Sequence, residues 1–161
     1  MHLKNLLLSV VVVILILAYA LFSLWQPERQ VTLHQEHLLQ AYSDRKWSKV
    51  EGFFDEGYTD RWGHKKEDIL RLSRIAFAQF FSPEVSALGP QIGLQANTAT
   101  VTEKLAITGE GNEIAQEAER RINRLDQPFV FTWQRKSWKP WDWKLVRVDN
   151  PGLQIGNIED F

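Results

Sequence analysis

The sequence predicts an α+β domain in which helices come first and an antiparallel sheet follows. Up to residue 81, apolar side chains recur every three or four positions, which is the spacing of amphipathic helices. From Glu84 onward the period changes, and apolar and polar residues alternate as they do in half-buried strands. The aromatic-rich residues 129–148 predict a hairpin with one aromatic face, which a helix must cover. Grouped helices followed by grouped strands are typical of α+β architecture.

The composition is that of an ordinary globular protein and excludes several kinds of site. The 161 residues leave room for one domain and an appendage. The net charge of −1 gives no sign of the basic patch that binds nucleic acid, so no nucleic-acid partner is expected. Because there is no cysteine, disulfides, thiolate metal sites and cysteine nucleophiles are excluded.

Residues 1–25 are predicted to form an N-terminal transmembrane anchor. Residues 6–25 are an uncharged apolar run, long enough to span a hydrocarbon core of about 30 Å as a helix. Trp25 closes the run where an interfacial aromatic residue would lie. The alternatives are a signal peptide cleaved at the A-x-A motif of residues 18–20, and a buried core helix. The short tail carrying Lys4 favours a domain outside the cytoplasm, although Arg29 and residues 45–49 place positive charge on the far side as well. The expectation is a single-pass protein of the bacterial inner membrane whose domain faces the periplasm.

The beginning of the domain is predicted to be helical. Residues 26–30 are expected to be a linker, and a first helix follows over residues 31–43. Ser43 or Asp44 is then expected to cap a short second helix. The apolar residues of this second helix recur at helical spacing: Trp47, Val50, Phe53 and Phe54.

A third helix, over residues 65–81, has the clearest helical pattern in the sequence. Glu67 and Asp68 lie in its first turn, where they complement the helix dipole. Pro83 is expected to end it. Its apolar stripe consists of Ile69, Leu72, Ala76 and Phe80.

Four strands are predicted after these helices. Residues 85–94 form a weak strand and residues 98–108 a stronger one. Residues 113–127 fit either a helix or the approach to the next strand. The hairpin supplies the last two strands, which share one aromatic face. The first strand contributes Phe129, Phe131 and Trp133 to that face, and the second contributes Trp141, Trp143 and Leu145. Residues 151–161 are expected to be a tail that packs along the domain or meets a partner.

The order of elements resembles the nuclear transport factor 2-like superfamily, the α+β cone of ketosteroid isomerases and polyketide cyclases. The resemblance covers residues 31–148 and places the domain at residues 31–150. It consists of a first helix, a short second helix, the stretch YTDRWGH, a long third helix and a sheet that closes on WKPWDWKL. It implies a curved antiparallel sheet wrapped around the long helix, forming a cone-shaped barrel with a pocket at its mouth. The superfamily contains isomerases, dehydratases, cyclases and many proteins without catalytic activity.

Tyr58, Asp60 and His64 are the candidate catalytic residues, since with Trp62 they form the one short stretch that looks like a site. In enzymes of the superfamily a pocket carboxylate or a His–Asp pair acts as acid or base, and a tyrosine donates to an oxyanion. Such a role requires an apolar pocket that brings the pKa of the pair near neutrality. The interpretation we favour is structural: Asp60 and His64 cap the third helix while Tyr58 and Trp62 pack beneath it.

The aromatic residues are the candidate ligand pocket, although aromatic stripes form core more often than cavity. The pocket candidates are Trp47, Trp62, Phe77, Trp133, Trp141 and Trp143. His34 and His37 lie one helical turn apart without a third ligand in register, so they are interpreted as surface residues. No metal or other cofactor is predicted.

The sequence therefore predicts a membrane-tethered, non-enzymatic domain that binds a protein partner or a small apolar ligand, or serves as a scaffold. The alternative is an isomerase- or cyclase-type enzyme that uses the Asp60–His64 pair in the pocket of the cone. A homodimer through the sheet face is a further expectation, because the superfamily often forms one.

Overall fold

The computed structural model describes residues 2–153, with side chains from residue 10 onward. The four helices that come first are α1 (His2–Leu24), α2 (Pro27–Ser43), α3 (Trp47–Phe53) and α4 (Lys66–Phe77). They are followed by β1 (Glu84–Gln95), β2 (Thr98–Thr108), α5 (Glu113–Asn123), β3 (Phe129–Arg135) and β4 (Trp143–Asp149). The α+β class is therefore confirmed. Of the predicted tail, residues 154–161 lie outside the described residues.

The sheet is antiparallel and open, and its strands lie in the order β1-β2-β3-β4. Because β1 and β4 do not pair with each other, the expected barrel is not closed. β1 and β2 pair along their length, apart from a bulge between Leu88 and Gln91. Gly89 lies in this bulge with a φ of 63°, a conformation that favours glycine. A bulge of this kind bends its strand and increases its twist, which curves the long β1–β2 ribbon.

The helix that packs on the inner face of the sheet is α2, not the third predicted helix. α2 contacts β1, β2 and β4 and buries Val31, Leu38 and Ala41 in the core. The resemblance had implied that the sheet wraps around the long helix of residues 65–81, and this expectation is wrong. That helix, α4, packs mainly against α3 and α5. It also ends at Phe77, four residues early, because the N–H of Phe81 donates to the carbonyl of Glu110 and draws the chain away.

The aromatic hairpin forms as predicted on its first strand and differs on its second. Phe129, Phe131 and Trp133 are buried in β3, and Trp143 and Leu145 are buried in β4. Trp141 was expected on the same face of the second strand, but that strand begins only at Trp143. Trp141 instead lies in the turn, and 51% of its surface is exposed. The turn is closed by the indole N–H of Trp143, which donates to the carbonyl of Pro140 at 2.9 Å.

α1 and α2 are separated by only two residues, because α2 begins earlier than predicted. The linker expected over residues 26–30 shrinks to Trp25 and Gln26, and Pro27 occupies the first turn of α2. Proline fits there because the first helical amides have no partner within the helix and its fixed φ suits the helix. The side-chain amide of Gln30 also donates to the carbonyl of Leu24 at 2.7 Å, which braces the junction.

Two further boundaries differ from the prediction or resolve it. Lys46 precedes α3, and neither Ser43 nor Asp44 caps that helix. The hydroxyl of Ser43 is used elsewhere, since it accepts a hydrogen bond of 2.8 Å from the N–H of Val85 in β1. The ambiguous residues 113–127 contain the helix α5, which Asn112 caps by accepting from the N–H of Ala115.

Candidate functional site

Two clefts of similar size open along α2, one towards α3 and one towards the sheet. The first, which we call the tryptophan cleft, has a volume of about 450 Å³. The second, the glutamate cleft, has a volume of about 430 Å³. Both volumes fall in the range of about 300–1,000 Å³ that is usual for small-molecule sites.

The tryptophan cleft lies between α2, α3 and the turn before β4. Trp141 stands half-exposed over it, while Phe53 is partly buried and Trp143 is buried. Three lysines and two aspartates line it as well: Lys46, Lys49, Lys144, Asp44 and Asp142. An aromatic surface surrounded by groups of both charges suits a ligand with an apolar body.

His34 lies in the wall of the tryptophan cleft and is held in a neutral form. Its ring stands edge-on to Phe53 and Trp133, with centroids 6.0 and 5.8 Å away. Its Nδ1–H donates a hydrogen bond of 2.8 Å to the carbonyl oxygen of Gln30. Burial lowers the pKa of His34, and backbone hydrogen bonds to Gln30 and Trp141 oppose this only in part. His34, interpreted from the sequence as a surface residue, is therefore half-buried.

The glutamate cleft lies between α2 and the first two strands and has apolar walls around a buried carboxyl group. Its apolar lining residues are Leu39, Val85, Ala87, Ile92 and Val101. Glu103 of β2 lies at its base with 2% of its surface exposed. The side-chain amide of Gln35 donates to Oε1 of Glu103 at 2.6 Å. The indole N–H of Trp133 donates in turn to Oε1 of Gln35 at 2.9 Å, so that one chain of hydrogen bonds joins β2, α2 and β3.

Burial raises the pKa of Glu103, and the hydrogen bond from Gln35 offsets only part of this. Within the described part of the chain, the hydrogen bond of the Glu103 carboxyl group is made at Oε1, and Oε2 is not among the fully buried atoms without a partner, so it is open to the cleft. A protonated Glu103 therefore offers an O–H donor to whatever enters the cleft. The sequence contains a signal for this residue, since Glu103 is two positions from both Val101 and Leu105 and therefore shares their face of β2. Sequence reasoning missed it because a charged residue usually marks the exposed face of a strand.

The candidate pair Asp60 and His64 is brought together, but outside both clefts. Nδ1 of His64 lies 2.9 Å from Oδ2 of Asp60, and both side chains are buried. Oδ1 of Asp60 accepts from the backbone N–H groups of Trp62 and His64, at 2.9 and 2.8 Å. This carboxylate therefore closes the turn of residues 60–64. The capping of the third helix that we favoured is not seen, because Asp68 accepts from the N–H of Lys65 at that helix start.

Tyr58, the third candidate, is buried against Phe54, with ring centroids 4.8 Å apart. Its hydroxyl has no hydrogen-bond partner in the described residues. Burial, followed by the nearby charge of Asp60, raises the pKa of Tyr58, so it stays neutral. Neither cleft is lined by Tyr58, Asp60 or His64.

The six pocket candidates are distributed over separate places. Trp141 and Trp143 line the tryptophan cleft, and Trp133 is buried beside it. Trp47 and Phe77 pack against Tyr42 in another aromatic cluster. The indole N–H of Trp62 donates to the carbonyl of Leu153, which ties the end of the described chain to the turn of residues 60–64. Of the five tryptophans among these candidates, Trp133 and Trp143 are buried and Trp141 is half-exposed, so the candidates do not form one common pocket.

The membrane prediction concerns α1. Among the side chains that the structure describes, no single helix is both long and apolar enough to cross a membrane. Val10–Leu24 and Pro27–Ser43 meet the criterion only as a pair, with a bend of 65° between them.

Solved structures resemble this fold, although sequence comparison finds no relative. Neither a protein-family model nor a curated protein matches the sequence. A nuclear transport factor 2-like protein from Salmonella enterica superposes with a TM-score of 0.59 and 13% identity, over 84% of this chain and 97% of that one. A putative dehydratase of the same family from Streptomyces avermitilis gives a TM-score of 0.58 and 14% identity, over 80% and 97%.

A third similar structure belongs to a larger protein. It comes from Bdellovibrio bacteriovorus, with a TM-score of 0.59 and 14% identity, and the match covers 78% of this chain but 41% of the other. The present chain thus spans less than half the length of that protein. Identities this low establish the fold alone, which is the nuclear transport factor 2-like fold that the sequence resembled. This superfamily includes both enzymes and binding proteins, so function must be argued from the site.

Proposed function

We propose that this nuclear transport factor 2-like domain is tethered to a membrane by α1 and binds a small apolar ligand without transforming it. The observation that carries the proposal is the surface of α1. Every side chain of Val10–Leu24 is exposed and none is charged. Burial of apolar surface is worth about 25 cal/mol per Å², so such a helix gains strongly from entering a bilayer. In the sequence the uncharged run covers residues 6–25, which suits a single span.

The turn between β3 and β4 supports a position near a lipid surface. Trp138 is 83% exposed and Trp141 is half-exposed, and Lys136 and Lys139 lie in the same turn. Tryptophan and lysine are the residues that favour the interface between lipid and water. Trp141 lines the same cleft as His34, and His34 lies in the first half of α2, the helix directly after α1.

A binding role fits the tryptophan cleft better than a catalytic one fits the Asp60–His64 pair. Asp60 already accepts from two backbone amides and one imidazole. A general base must reach a proton on its substrate at about 2.6–3.2 Å, and a carboxylate with these three donors in a closed turn does not. Trp141, in contrast, presents a half-exposed ring to the cleft.

Membrane association is tested by fractionating cells that express the full chain with a C-terminal tag. Wild-type protein is expected to stay in the pellet after alkaline carbonate extraction. Leu15→Arg combined with Leu17→Arg should release it, because each arginine costs about 2.5–3.5 kcal/mol at the centre of a span. Ile75→Arg is the matched control, since Ile75 is an exposed apolar residue of α4 and should leave the protein in the pellet. Carbonate release of the wild type, or a mature chain that begins near Leu21, would refute the tether.

Ligand binding is tested with the fluorescent probe 8-anilinonaphthalene-1-sulfonate. Trp141→Ala should weaken probe binding about threefold to tenfold, as expected from the loss of an aromatic contact worth about 0.5–1.5 kcal/mol. Trp138→Ala is the control, because Trp138 lies in the same turn but does not line the cleft. Equal affinities for the wild type and both variants would show that the tryptophan cleft is not the binding site.

A further inference from the structure

The geometry points to a second binding site in the glutamate cleft, which takes an uncharged, mainly aliphatic molecule that carries a carbonyl oxygen. This inference goes beyond the proposed function, which concerns the tether and the tryptophan cleft. It depends on neither of them, because the glutamate cleft is formed by α2, β1 and β2 alone.

The walls of the glutamate cleft determine the body of the ligand. All three elements contribute apolar side chains, such as Leu39 of α2, Ile92 of β1 and Val101 of β2, and these supply most of the exposed surface beside polar residues such as Thr32 and Ser86. No aromatic residue lines this cleft within the described part of the chain, which distinguishes it from the tryptophan cleft. An aliphatic ligand therefore matches these walls better than an aromatic one.

The base of the cleft determines the polar group of the ligand. Oε1 of Glu103 is occupied by the amide of Gln35, which leaves Oε2 as the atom that can meet a ligand. In its protonated form Glu103 donates from Oε2, and a carbonyl oxygen is the simplest acceptor for that donor. A ligand that accepts from this donor inside an apolar cleft gains a hydrogen bond that fixes its orientation.

The charges around Glu103 argue against a charged ligand. The other titratable groups lining the cleft are Glu36 of α2 and Glu84 of β1, both exposed at its rim, and no lysine or arginine lines it. Lys104 of β2 is exposed, and Phe129, the β3 residue opposite Glu103, carries no charge. An anion would thus meet only carboxyl groups, and a cation would require Glu103 to ionise while buried.

Trp133 provides a reporter, because Gln35 links its indole directly to Glu103. Trp133 does not line the glutamate cleft, but its ring contacts His34 and Phe53 of the tryptophan cleft, so the Trp141→Ala variant is used to separate the two sources of a change. The full chain is labelled with 5-fluorotryptophan, and its ¹⁹F spectrum is recorded in lipid nanodiscs. The resonance of Trp133 is assigned with the Trp133→Phe variant. The probes are 2-heptanone, heptylamine and 1-heptanesulfonate.

We expect 2-heptanone to shift the Trp133 resonance saturably at low pH. Above the pKa of Glu103 the dissociation constant of 2-heptanone should rise about tenfold per pH unit, because binding requires the proton. Glu103→Gln, which keeps a neutral donor, should retain the response at every pH, and Glu103→Leu should abolish it. Heptylamine and 1-heptanesulfonate, which stay charged over this pH range, should give no saturable shift.

Several results would overturn the site. One is an unchanged 2-heptanone response in Glu103→Leu. The others are a wild-type response that does not change with pH, and a saturable response to heptylamine or 1-heptanesulfonate instead. The Trp141→Ala variant separates this site from the tryptophan cleft, because its Trp133 response to 2-heptanone should equal that of the wild type. A chain that fails to stay in the membrane can be tested in the same way without nanodiscs, so failure of the tether leaves this test intact.

Discussion

Asp60 and Glu103 are both buried carboxyl groups, and the comparison between them separates a structural acid from a candidate binding group. Asp60 is 3% exposed and accepts three hydrogen bonds, two from the backbone and one from His64. Glu103 is 2% exposed, accepts a single hydrogen bond from Gln35 and lies at the base of a cleft. Nearly equal burial thus accompanies very different numbers of partners.

The difference shows that the number of hydrogen bonds that a buried carboxyl group accepts tells more about the role of that group than its exposed fraction does. A carboxyl group that accepts two backbone hydrogen bonds and one from an imidazole serves to fix the turn around it. A carboxyl group with one donor is more easily kept neutral, and its second oxygen remains available. The predictions below test this distinction, in order of decreasing effect on stability.

The largest effect is expected for Asp60→Ala, which should lower the free energy of unfolding by about 3 kcal/mol. The substitution leaves the buried N–H groups of Trp62 and His64 without an acceptor, and each such loss costs about 1–3 kcal/mol. Chemical denaturation followed by circular dichroism measures it. The control is Asp142→Ala, because the half-buried side chain of Asp142 makes no hydrogen bond to the described residues. It should change the free energy of unfolding by less than about 0.5 kcal/mol. A stabilised Asp60→Ala variant would instead favour a catalytic role for the pair.

A smaller loss of about 2 kcal/mol is expected for Trp133→Phe. The change removes the indole N–H that holds Oε1 of Gln35, and it leaves a small cavity in the core. Trp138→Phe is the matched control, because Trp138 is largely exposed and should change stability by less than about 0.5 kcal/mol. Equal denaturation midpoints for the two variants would show that the chain from Trp133 to Glu103 does not hold the core together.

Tyr58→Phe should raise the free energy of unfolding by about 1 kcal/mol. The hydroxyl of Tyr58 is buried without a described partner, so its removal relieves a desolvation cost while the ring keeps its contact with Phe54. Thermal unfolding of the variant beside the wild type measures the gain. A loss of stability would reveal a partner for this hydroxyl, and with it a role closer to that of the superfamily's oxyanion donors.

Glu103→Gln is expected to change the stability least at low pH. Its value lies in how the stability difference from the wild type changes with pH. The folded-state pKa of Glu103 is raised above its ordinary value of 4.5, so its stabilising contribution is complete below that pH. The contribution is lost as the pH rises through the folded-state pKa, because ionisation then opposes burial. The melting temperature of the wild type should therefore fall relative to that of Glu103→Gln over this window. Parallel melting temperatures from pH 4 to pH 8 would show that Glu103 titrates normally.

The features that follow from local periodicity were predictable from the sequence. The β2 boundaries were predicted correctly, and so was the buried face of Phe129, Phe131 and Trp133. These features follow from alternation and side-chain size, which are local properties. The helix that the sheet would cover was not predictable in this way, since α2 and α4 both carry apolar stripes and only tertiary packing selects α2.

The candidate site depended even more on long-range contacts. Trp141 continues the alternation of β4, but Pro140 and the closing hydrogen bonds of the turn remove it from the strand. Glu103 and Gln35 lie 68 positions apart in sequence, so no local pattern announces their hydrogen bond. The spacing of Asp60 and His64 did suggest a pair, but the two amides that saturate Asp60 become visible only in three dimensions.

If α1 is the tether proposed above, the short junction between α1 and α2 fixes the rotation of the domain about α1 as well as its attachment. Trp25 and Gln26 alone separate the two helices, and the bond from Gln30 to the carbonyl of Leu24 spans the junction. If the geometry of the junction is kept, adding one residue to α1 turns the domain by about 100° around the axis of that helix. With the proposed tether, the number of residues before Pro27 would therefore set which cleft faces the bilayer and which faces away from it.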